Sequence, residues 1–76
     1  MINTKILIKG NPNQEQYEQA YNLINEYLQQ IAKEYSIESI KFEGDNSKYV
    51  EFEIKENNKH YVLNATFYNG KLEWEE

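Results

Sequence analysis

Apolar and polar residues alternate with a period of two along most of this chain, and one long stretch keeps a period between three and four. In that stretch Tyr17, Ala20, Tyr21, Ile24, Tyr27, Leu28, Ile31 and Tyr35 recur at spacings of three and four, bordered by Leu23 and Ala32. Such spacing gathers them on one helical stripe, wide enough to pack on a sheet. Asn11-Pro12 offers an N-cap before a proline at the first helical position. Asn13 with Gln16 offers an alternative cap two residues later. Glu15 and Glu18 suit the positive end of the helix dipole and Lys33 the negative end. The pattern predicts a helix end at about Tyr35–Ser36.

The period-two segments predict strands over residues 4–9, 38–43, 48–56, 59–68 and 71–75, with Ile6 and Ile8 on one face of the first. Asn69-Gly70 is the strongest hairpin signal, because both positions tolerate positive φ. Asn57-Asn58 is a weaker version, and Gly44-Asp45-Asn46-Ser47 a looser loop. Two-residue hairpins set register, so the turns can be checked against each other. Tyr68 opposite Lys71 brings Phe67 to Leu72 and Ala65 to Trp74. Glu56 opposite Lys59 brings Ile54 to Tyr61, Phe52 to Leu63 and Val50 to Ala65. A three-residue loop at Asp45–Ser47 adds Ile40 and Phe42 to the same face. The expectation is one α+β domain over residues 1–76. One amphipathic helix packs on a four- to five-stranded, mostly antiparallel sheet in the order β-α-β-β-β-β, with the last four strands as a meander.

Strand, long helix and four-stranded meander together resemble the cystatin fold over nearly the whole chain. That resemblance is one of layout. Cystatins inhibit papain-like proteases through a Gln-x-Val-x-Gly hairpin, a Pro-Trp hairpin and an N-terminal glycine. Here the corresponding hairpins read Glu43-Gly44-Asp45-Asn46-Ser47 and Tyr68-Asn69-Gly70-Lys71, and no glycine precedes the first strand. Protease inhibition is therefore not implied.

Composition narrows the function classes. A chain of 76 residues buries only roughly 60–65% of its unfolded surface. Seven Tyr, three Phe and one Trp supply large buried areas from few positions. Without Cys there is neither a disulfide framework nor a thiolate metal site. The N-terminal apolar stretch is broken by charge and has no small-residue cleavage site, and no run spans a bilayer. The expected address is the cytoplasm, and the sequon at Asn64-Ala65-Thr66 falls mid-strand. The net charge is −5, and all eight positive side chains are Lys. Lacking Arg, the preferred fork for phosphates and guanine edges, the chain is not expected to bind nucleic acid directly.

No catalytic constellation, cofactor site or metal site emerges. His60 is the single histidine, on the solvent parity of its strand, and a catalytic base needs a positioned nucleophile or carboxylate. Asp45-Asn46-Ser47 is too short for an EF-hand. The helical Tyr17, Tyr21, Tyr27 and Tyr35 read as packing. One helix covers one side of a sheet and leaves the other open. On the register above, that side presents Glu43, Tyr49, Glu51, Glu53, Tyr68, Glu73 and Glu75 with Val62, Asn64 and Thr66, interrupted by Lys41, Lys55 and Lys71. As a solvated face it carries a Lys41–Glu51 cross-strand pair. As a recognition face it suits a protein partner, since Tyr is an efficient interface residue and carboxylates steer toward basic surfaces. The expectation is a non-enzymatic binding module. Its concrete version is a phage- or plasmid-type inhibitor of a host enzyme, such as a DNA mimic for a basic nucleic-acid-binding enzyme. The alternative is a structural or assembly module that forms homo-oligomers through a sheet edge; Lys71, Glu73 and Glu75 partly guard that of the last strand.

Overall fold

The structure is a computed structural model that describes residues 1–44 and 49–75. It contains β1 (Ile2–Lys9), α1 (Gln14–Ile31), β2 (Tyr35–Glu43), β3 (Tyr49–Glu56), β4 (Lys59–Tyr68) and β5 (Lys71–Trp74). One helix lies on a five-stranded mixed sheet, so the α+β class and element order are those expected.

Helix α1 starts at the second of the two predicted caps. Asn13 accepts the Gln16 N–H at 2.8 Å, and the Gln16 side chain accepts the Asn13 N–H at 2.9 Å. A reciprocal cap of this kind is worth about 1 kcal/mol. Pro12 therefore sits before the cap rather than in the first turn. Pro12 and Tyr17 hold the two positions of a hydrophobic staple and line one hollow with Phe42. The helix also ends earlier than the apolar spacing suggests. Ala32 is extended (φ −148°, ψ 149°) and its N–H caps Leu28. Lys33 thus lies outside the last turn, and Tyr35 opens β2, paired with Ile2. Tyr35 keeps its place on the helical stripe only in sequence: its phenol donates to Asn25 at 3.1 Å from the strand below.

The two hairpins have the predicted register. Phe67 faces Leu72, Ala65 faces Trp74, Phe52 faces Leu63 and Ile54 faces Tyr61. Asn69 and Gly70 both adopt positive φ, 50° and 80°, as a two-residue turn matched to the sheet's twist requires.

The four-stranded meander is not formed. The sheet order is β2-β1-β3-β4-β5, so β1 lies between β2 and β3, parallel to the first and antiparallel to the second. The expected loop at Asp45–Ser47 falls outside the described residues, and β2 and β3 are not neighbours in the sheet. The cystatin-like layout rested on that meander and lapses with it. The physical reason is the helix: it returns the chain beside β1 in the same direction, a parallel pair that only a long crossover can join. In the centre, β1 buries Ile2, Thr4, Ile6 and Ile8 on one face and keeps Asn3, Lys5, Leu7 and Lys9 on the other.

β2 also departs from simple alternation. Thr4 faces Ile37, but the next residue, Lys5, faces Ser39, so Glu38 is an extra residue in a bulge. The bulge shifts the phase, which lets Tyr35 and Ile37 before it and Ile40 and Phe42 after it share the helix side. Ile40 and Phe42 thus reach the expected face by a different route. Phe52, Ile6, Ile8, Ile24, Leu28, Ile54 and Val50 form the fully buried centre. Trp74 tilts against Phe52 at 5.2 Å and Tyr27 at 5.6 Å between ring centroids. Each large side chain so buried contributes about 1.5–3 kcal/mol.

Candidate functional site

Opposite the helix, the sheet presents a face built from alternate residues of all five strands. Register places them in rows. Glu43, Lys9, Tyr49, Thr66 and Glu73 form one row, and Lys41, Leu7, Glu51 and Asn64 the next. Ser39, Lys5, Glu53 and Val62 follow, then Ser36, Asn3, Lys55 and His60. Tyr68 and Lys71 close the end of the β4–β5 hairpin, and Glu75 extends beyond β5 with its N–H on the Asn64 carbonyl at 2.9 Å. All seven residues predicted for partner contact therefore lie on this one face.

What the sequence reading missed is the strand through its middle. Because β1 separates β2 from β3, Leu7 stands between Lys41 and Glu51, and the predicted Lys41–Glu51 pair does not exist. Lys5 lies directly opposite Glu53, and Lys9 between Glu43 and Tyr49. The face then carries five Lys (5, 9, 41, 55 and 71) against five Glu (43, 51, 53, 73 and 75). Its formal charge is zero. The chain's −5 resides elsewhere, as on α1, which holds Glu15, Glu18 and Glu26 and no Lys.

The carboxylates are held by neighbours rather than left free as a block. Lys9 Nζ bridges Glu43 at 2.9 Å, and that ammonium holds the Glu43 carboxyl below its usual range, while Glu43 raises Lys9. His60 Nε2 lies 2.8 Å from a Glu53 carboxylate oxygen, and Lys55 lies 3.9 Å from the same oxygen. The Thr66 hydroxyl donates to Glu75. Such exposed pairs are screened by water and contribute little to stability. Their effect here is to set side-chain directions on the face.

His60 thus has the carboxylate partner that a catalytic base requires. Around it, Lys5, Leu7, Glu51, Glu53 and Val62 line a shallow depression of about 190 Å³. None of them is a hydroxyl or thiol nucleophile, and both His60 and Glu53 are well exposed to water. The pair can orient a hydrogen bond on the surface, but the lining supplies no group to activate. Among the described residues no group of three or more His, Cys, Asp or Glu has an arrangement that would hold a metal ion. No helix among them is long and apolar enough to cross a membrane.

The apolar content of the face is its second feature. Val62 is 46% exposed, Tyr68 65% and Tyr49 37%. These side chains stand in water among alternating charges. Compared with protein-family models, curated proteins and solved structures, the chain matches none.

Proposed function

We propose that this chain is a small non-catalytic protein-binding module whose open sheet face is the docking surface. The supporting observation is the uncovered face itself, where Tyr49, Val62 and Tyr68 are exposed on a rigid sheet within a lattice of alternating Lys and Glu. Interface centres favour exposed aromatic side chains ringed by polar groups, and matched charges fix register with a partner. The partner is a protein with a surface of mixed charge. Inhibition of a host enzyme, of the kind phage and plasmid proteins perform, is the concrete version. The DNA-mimic form loses its support, because a phosphate-like surface needs uncompensated carboxylates and Lys5 and Lys9 interrupt them.

Affinity capture with a chain carrying Val62→Glu and Tyr68→Ser, beside wild type and a helix-face control Glu18→Gln, tests this reading. A partner retained by wild type and control but lost by the double variant supports it. Retention by all three would remove the open face from consideration. A steep loss of the partner with added salt would instead restore the mimic form.

A further inference from the structure

The two edges of the sheet are finished differently. At β5, only four residues long, the Leu72 N–H is taken by the Gln19 side chain of the helix at 2.8 Å. α1 approaches β5 more closely than any other strand. At the opposite edge β2 runs for nine residues, and no strand among the described residues pairs with its outer side. An apolar side chain is left uncovered on it: Phe42 is 53% exposed. Edge strands of this length are templates for another strand.

The sequence of β2 complements itself. We propose that β2 pairs antiparallel with β2 of a second copy about a two-fold axis between Glu38 and Ser39, joining both sheets into one. In this register Tyr35 opposes Phe42 and Ile37 opposes Ile40, twice each, all on the helix side. The Glu38 bulge makes this match, since without its phase shift odd and even residues would face opposite sides. On the open side Lys41 opposes Ser36 and lies diagonal to Glu34 and Glu38 of the second copy, within reach of a long side chain. Glu43 meets Glu34 at the end of the ladder, and its charge is already matched by Lys9. An isologous contact of this kind closes as a dimer and leaves the two open faces free.

Sedimentation equilibrium of the full chain from micromolar to millimolar concentration tests the pairing, with far-UV circular dichroism to establish that each variant is folded. Wild type shows a reversible monomer–dimer equilibrium. Lys41→Glu places three acids together and Glu38→Lys two bases, so each alone weakens the dimer about tenfold. An equimolar mixture of these two variants associates more tightly than either alone, because both contacts between positions 41 and 38 then pair Lys with Glu. Phe42→Ser weakens the dimer without charge change, and β2 amide exchange slows with concentration in wild type alone. A chain that stays monomeric throughout, a dimer indifferent to the charge variants, or a mixture no tighter than its components would each overturn the proposal. Monomeric wild type that gains β2 protection only with an added extended peptide would assign the edge to a different occupant.

Discussion

The side chain of Gln19 accepts the backbone N–H of Leu72 at 2.8 Å while donating to the carbonyl of Gly70 at 2.9 Å. One helical amide thus does for the β5 edge what a sixth strand would do, tying α1 to the Asn69-Gly70 turn. Gln19→Leu leaves both backbone groups without that partner, at a cost of about 1–2 kcal/mol. Gln19→Glu keeps the acceptor but sets a carboxylate against the Gly70 carbonyl, so it falls between. Urea unfolding of the three proteins should rank them wild type, Glu, Leu.

Thr4 is fully buried in the centre of the sheet, and its hydroxyl has no hydrogen-bond partner among the described residues. Its strand neighbours are Ile37 and Ile54. Thr4→Val keeps the branched shape and removes the unpaired polar atom, so it should stabilise the fold by about 1 kcal/mol. Equal or lower stability on thermal unfolding would show that the hydroxyl is satisfied in solution.

Deleting Glu38 removes the bulge and forces β2 into strict alternation. Either Tyr35 and Ile37 or Ile40 and Phe42 must then turn away from the helix. The loss of burial should cost about 3 kcal/mol or more, whereas Glu38→Gln, which keeps the residue count, should leave monomer stability near wild type. Denaturant midpoints of the two variants distinguish residue number from residue charge.

The Lys9–Glu43 bridge predicts a pH response with a definite sign. Glu43 titrates below its usual 4.5 because Lys9 hydrogen-bonds it and its charge lies close by. The bridge's contribution is therefore present above the ordinary carboxyl range and lost as pH falls through the depressed value. Lys9 is raised above 10.5 by the same contact, so the contribution also fades as pH rises through that raised value. In Lys9→Met, the Glu43 carboxyl followed by NMR should titrate back toward the ordinary range. An unmoved titration would mean the bridge is not populated in water.

Much of this molecule was legible along the chain. The helix stripe from Tyr17 to Leu28 and the registers of both two-residue hairpins need only neighbours within a few residues, and local sterics settle them. The solvent parity of Glu51, Glu53 and Glu73 follows from the same hairpins. The helix end at Ile31 was obscured because Tyr35 continues the spacing of the stripe; it belongs to β2 because pairing with Ile2 outweighs one more helical turn.

Tertiary structure alone decided where β1 goes. The segment over residues 44–48 is long enough either to turn a hairpin or to cross one strand, a distance of about 10 Å. Nothing local chooses between these, so the open face read as a block of acids with β2 beside β3. The choice comes from the whole sheet: the helix brings β2 parallel to β1, and the central place lets β1 bury Ile2, Thr4, Ile6 and Ile8 while using both its hydrogen-bonding sides. Local pattern set the order of the elements, the two hairpin registers and the faces of the side chains in β3, β4 and β5. The long-range pairing determined the neighbours on that face, and with Lys5 and Lys9 it turned an acidic surface into a balanced one.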